Sequence, residues 1–69
     1  MNITQLGNII RENRQSKNIS QELLSKQSDV AIKSIHSIEL GKGNPSIKTL
    51  TKLLQVLDLE FIIVSKKSI

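Results

Sequence analysis

The chain has no cysteine and a single histidine among its 69 residues. The first absence excludes disulfides and thiolate metal sites, and the second leaves no histidine cluster, so neither a metal nor another cofactor is expected. No hydrophobic run approaches the length of a membrane span, and the opening MNITQLG lacks the charged start and apolar block of a signal peptide. A soluble cytoplasmic protein with no membrane partner is the expectation. Catalytic signatures are missing as well: no nucleophile elbow, metal spacing or paired-carboxylate pattern occurs, and His36 beside Ser37 is adjacency in sequence, not a dyad. A chain this short also offers little room for a substrate pocket, so an enzyme is not expected.

What the sequence does carry is positive charge. The formal net charge of +4 and an isoelectric point near 9.8 favour an anionic partner, either nucleic acid or an acidic protein surface. A single domain of this size builds a marginal core unless its helices pack well or subunits share surface. With no disulfide or metal to staple it, protein–protein contact is the expected support, which favours an oligomer.

The stretch SQELLSKQSDVAIKSIHSIE, from Ser20 to Glu39, organises the rest. Ser20 is a good N-cap, Glu22 suits the positive end of a helix, and Leu23 and Leu24 supply an apolar side. The periodicity weakens across Gln27-Ser28-Asp29 and restarts at Val30, ending at Glu39 before the breakers Gly41, Gly43 and Pro45. Two short helices joined by a tight turn form a helix-turn-helix. On the second helix Ala31, Ser34, Ile35 and Ile38 share a face suited to a core. Ile32, Lys33, His36 and Ser37 share the opposite one, a mixture of aliphatic, cation, imidazole and hydroxyl suited to base edges in a major groove. A merely solvated polar face has the same composition, so this helix alone does not decide the function.

Before that motif, Thr4 or Asn2 can cap a first helix bearing Leu6, Ile9 and Ile10 and reaching about Gln15. Arg11 and Arg14 near its end suit the helix dipole and can reach a phosphate, although exposed charge is the plainer reading. Asn18 can take the left-handed conformation that ends a helix, and Ile19 returns to the core. After the motif, the loop Leu40-Gly41-Lys42-Gly43-Asn44-Pro45 can bring Lys42 and its own backbone near phosphates, but it lacks the spacing of a nucleotide-binding loop. Ser46 caps a last helix on which Ile47, Leu50, Leu54 and Leu57 are expected to face the core, leaving Leu53 and Val56 toward a second surface. The segment LEFIIVS that follows is β-branched and aromatic, and reads as a strand. A lone strand needs a partner for its backbone, most economically the same strand of a second subunit. Phe61, Ile62, Ile63 and Val64 would then serve dimerisation together with Leu53 and Val56, and Lys66 and Lys67 would protect the sheet edge.

Several spaced features agree together: Leu6-Gly7, Ile10-Arg11, Arg14, Ser20-Gln21, Leu24, Ile35, Ile38-Glu39, Gly41, and Pro45-Ser46 followed by Leu50. In these the chain resembles the Cro/C1 (Xre) family of helix-turn-helix regulators. The resemblance implies an all-α fold, a compact bundle of about four to five helices, here over residues 1–58, with residues 59–69 as a C-terminal dimerisation strand and tail. It implies a homodimer on double-stranded DNA with a palindromic operator. It places Gln21 on a phosphate or base, Ile32, Lys33 and Ser37 on bases with His36 beside them, and Arg14 and Glu39 in a structural ion pair. Departures from the family pattern are Asp29 where glycine is usual in the turn, Ala31 where a capping residue is common, and Ser37 where a longer polar residue is frequent. The terminal pattern LTKLLQVLDLEFIIV resembles the narrower group of HipB-type antitoxins. That likeness implies repression of its own operon and capture of a HipA-type kinase toxin. The alternative is a phage-type or free-standing regulator without a toxin.

Overall fold

A computed structural model describes residues 2–65, which form four helices: α1 Ile3–Ser16, α2 Gln21–Ser28, α3 Ile32–Glu39 and α4 Ile47–Val56. Three of them start on a side-chain cap. The Asn2 side chain accepts the Gln5 N–H at 2.9 Å while Gln5 Oε1 accepts the Asn2 N–H at 3.0 Å. This reciprocal pairing satisfies two backbone donors, which is why Asn2 rather than Thr4 opens α1. Ser20 and Ser46 each accept one N–H, from Leu23 at 3.0 Å and Thr49 at 3.1 Å. Only α3 starts without such a bond, because its N-cap position is Ala31.

Three of the four helix ends follow one pattern. Asn18, Gly41 and Asp58 adopt positive φ after α1, α3 and α4. In each case the next N–H reaches back: Ile19 to the Arg14 carbonyl, Lys42 to Ser37, and Leu59 to Leu54. The reversal satisfies end carbonyls that a helix cannot satisfy itself, and turns the chain sharply toward the next element. α2 stops at Asp29, whose N–H still makes a helical bond to the Ser25 carbonyl at 2.9 Å while its φ of 61° turns the chain out of the helix. The turn to α3 is pinned from inside, since Ser25 Oγ donates to the Val30 carbonyl and buried Ser28 Oγ accepts the Val30 N–H.

The core consists of Ile10, Leu24, Val30, Ile35, Ile38, Leu50, Leu53, Leu54 and Leu57, with Leu6, Ile19, Val56 and Leu59 packed at its margin. Every helix contributes to it, and each fully buried aliphatic side chain stabilises the fold by roughly 1.5–3 kcal/mol.

Three placements differ from the sequence reading. Leu53 is completely buried in its own chain's core, so it is not available to a second surface. Ile47 is 67% exposed instead of facing inward. The buried residues of α4 form one continuous arc through Leu50, Leu53, Leu54 and Leu57, and Ile47 in the first turn lies beyond its edge. On α3, Ala31 and Ser34 are exposed while Glu39 joins Ile35 and Ile38 inside. An ion pair, not apolarity, draws Glu39 in, and its burial turns the helix away from Ser34.

Residues 59–65 belong to no helix or strand. Leu59 packs on the core, but exposure rises to 41% at Phe61 and 94% at Ile63. The strand expected here is therefore not formed in the single chain, where the described residues offer it no ladder partner. Lys66 and Lys67, read from the sequence as edge protection, lie outside the described residues.

Candidate nucleic-acid interface

α3 stands between two shallow depressions. The first, of about 440 Å³, is lined by Gln21, Ile32, Lys33, His36 and Ser37. The second, of about 380 Å³, is bounded by residues including Lys33, Ser34, Ser37, Lys42, Asn44 and Ser46. Lys33 and Ser37 line both, so they mark the crest of the helix. A ridge of one helix flanked by hollows has the relief needed to enter a duplex major groove, with the hollows facing its walls.

The chemistry along this ridge is mixed in a useful way. Ile32 is 40% exposed and can lie against a thymine methyl; Lys33 and His36 are exposed and polar; Ser37 is half-buried and carries a hydroxyl that donates or accepts. Lys42 lines the second depression with Lys33, its N–H bonding the Ser37 carbonyl at 2.9 Å where the loop folds back at the end of α3. Arg11 does not join this group. Its guanidinium donates to Asn8 Oδ1 at 3.0 Å on α1, and it lines neither depression.

Ser34, Asn44 and Ser46 were not singled out for this surface by the sequence. Ser34 precedes Ser37 by one helical turn, a polar stripe that signals exposure, but the neighbouring isoleucines favoured a core reading. Asn44 and Ser46 flank Pro45 where the loop turns into α4, and only the folded loop puts them next to α3.

Beneath the ridge lies a charged anchor. Arg14 Nε donates to Glu39 Oε2 at 2.7 Å, Nη2 to Oε1 at 2.9 Å, and Nη1 to the Ile19 carbonyl at 2.8 Å. The two side chains retain only 12% and 4% of their accessibility. The hydrogen bond to Glu39 raises the Arg14 pKa above its usual value; burial opposes this and the Glu39 charge adds to it. Gln21 Nε2 also donates to Glu39 Oε1, at 3.2 Å. One carboxylate thus joins the end of α1, the start of α2 and the end of α3.

The helix-turn-helix family model matches residues 10–63 of the sequence. The chain belongs to the helix-turn-helix family, of the Cro/C1 type. A search of curated proteins returns no match. Among solved structures the chain is similar to the restriction-modification controller protein C.AhdI from Aeromonas hydrophila, with a TM-score of 0.79 and 33% sequence identity over 84% of this chain and 88% of that one. This helix-turn-helix protein is a DNA-binding transcriptional regulator. Among the described residues, no helix is long and apolar enough to cross a membrane.

Proposed function

We propose that the protein is a homodimeric, sequence-specific repressor that binds a palindromic operator at its own promoter in the cytoplasm. The observation that carries this reading is the exposed crest of α3, where Lys33 and Ser37 stand between two hollows beside Ile32, His36 and Gln21. A twofold dimer would set two such ridges roughly 34 Å apart, one helical repeat of DNA. The exposed apolar run Phe61 to Val64 supplies the surface for that dimer, by pairing with the same segment of a second copy.

The test is fluorescence anisotropy with DNA from upstream of the gene and with a shuffled duplex, at two salt concentrations. Specific regulation requires own-promoter binding that persists at the higher salt while shuffled binding collapses, because nonspecific affinity is largely counterion release. Equal, weak binding to both duplexes would overturn the repressor reading.

Two regulated systems fit such a repressor. Similarity to a restriction-modification controller supports control of a restriction and methylation operon. The tail pattern LTKLLQVLDLEFIIV supports instead a HipB-like antitoxin that holds a HipA-type kinase. The adjacent genes separate them: an endonuclease and methyltransferase on one reading, a kinase on the other, and neither for a phage-type or free-standing regulator.

A further inference from the structure

Gln21 sits at the rim of the DNA-facing hollow, yet its carboxamide is tied to a group below the surface. Its Nε2 donates to Glu39 Oε1 at 3.2 Å. A carboxylate oxygen accepts hydrogen bonds, so this contact takes the nitrogen end of the amide and leaves Gln21 Oε1 and one N–H for another partner. Glu39 is itself buried to 95% of its surface and accepts hydrogen bonds from two Arg14 nitrogens.

We propose that Glu39 is a positioning residue for DNA recognition, holding Gln21 so that it offers the duplex a fixed acceptor and one fixed donor. Such a preset pattern complements a base edge that shows a donor beside an acceptor, and costs no side-chain ordering when DNA arrives. A free Gln21 would sample both amide orientations and discriminate less. This inference rests on the proposed operator reading, and its test separates the two.

The first arm needs no DNA. In the free protein, the Gln21 side-chain amide protons should exchange with solvent more slowly than those of the exposed Gln55, and Glu39→Gln should abolish the difference while far-UV circular dichroism shows the helices intact. The second arm is a double-mutant cycle in operator affinity. Glu39→Gln should weaken operator binding about tenfold in the native background and less than about twofold with Gln21→Ala already present, because contacts that act through one another do not add. Shuffled-duplex binding should not change. If Glu39→Gln fails to fold, Glu39→Asp replaces it, keeping the charge beside Arg14 while withdrawing the carboxylate by one methylene. Equal losses in both backgrounds, or a Gln21 amide that exchanges like Gln55, would overturn the positioning role and leave Glu39 purely structural. Native protein that shows no operator preference would instead overturn the repressor reading, whatever the amide protons do.

Discussion

Gly7 of α1 faces the Ile38 carbonyl of α3 so closely that a Cβ at position 7 would overlap the oxygen. That oxygen also accepts the Gly41 N–H at 2.9 Å, so it belongs to the reversal that ends α3 and cannot rotate aside. Glycine in mid-helix is normally a liability of about 1 kcal/mol relative to alanine. Here it permits contact between two backbones, and through that contact α1 sets where the end of α3 lies.

Gly7→Ala should consequently destabilise the protein although alanine is the better helix former. Overpacking typically costs about 1–3 kcal/mol, which for a domain of this size lowers Tm by roughly 4–8 °C per kcal/mol. Thermal unfolding followed by circular dichroism measures this directly. An unchanged or higher Tm would mean that α1 slides on α3 without penalty.

Arg14→Ala should cost more than the loss of a surface bridge. It strands the buried Glu39 carboxylate, and breaking such a pair from one side costs about 3–5 kcal/mol. The pH dependence has a definite sign. Because the folded state raises the Arg14 pKa, its stabilisation is complete below the usual arginine value and is lost only as pH climbs through the raised one. Urea titrations at pH 7 and pH 9 should thus show the same deficit in the variant. A deficit that shrinks by pH 9 would contradict the assignment. The exposed Lys17–Asp58 contact at 3.3 Å should, in contrast, be removable with little effect.

Asp29→Gly should stabilise the fold. Asp29 holds φ at 61° to close α2, a region in which a Cβ costs about 1 kcal/mol and glycine pays nothing sterically. The larger unfolded-state freedom of glycine offsets part of this, so the expected gain is about 0.5 kcal/mol. Chemical denaturation resolves a change of that size only with matched baselines; a clear loss would indicate that the Asp29 carboxylate makes a contribution of its own.

Lys33→Ala should weaken operator binding by about 1–3 kcal/mol, the worth of one good base contact, while the helix stays formed. Competition with operators altered one position at a time would tell readout from charge. If Lys33 reads a base, its removal flattens the preference at one position of each half-site. If it meets only a phosphate, affinity falls evenly for all sequences and the salt dependence becomes shallower.

The sequence made most helix boundaries legible because those depend on local chemistry: Ser20 and Ser46 as caps, Asn18 as a left-handed stop, Gly41 and Pro45 beyond α3. Orientation was harder to read in the short helices. α3 has 8 residues, too few for its apolar stripe to fix the inward direction, and the decisive inward residue was the charged Glu39 rather than an isoleucine. For α4 the apolar arc was wide enough to be divided two ways, and only the packed core, which takes in Leu50, Leu53, Leu54 and Leu57, places Leu53 inside and Ile47 outside. The link from Glu39 to Gln21 spans 18 positions and depends on the turn between α2 and α3, so no periodicity could announce it.

Phe61→Asp tests the remaining step, from one DNA-reading ridge to two. In the single chain Ile62, Ile63 and Val64 leave most of their apolar surface in water and Phe61 leaves about two fifths of its own, and among the described residues no element pairs with their backbone. A second copy of the segment would satisfy both needs at once, since strand pairing supplies backbone hydrogen bonds and apolar burial together. A carboxylate at position 61 makes that burial unfavourable, and because aromatic anchors commonly contribute about 2 kcal/mol or more at interfaces, self-association should weaken at least about thirtyfold. Sedimentation over a concentration series would detect the shift toward monomer. Operator affinity should fall with it, whereas binding to an isolated half-site should not, because the ridge itself is untouched. A variant that remains a full-strength dimer would move the dimer interface away from the tail, and Ile47 and Leu40, the most exposed aliphatic side chains on the helices and their connecting loop, would be the next surface to alter.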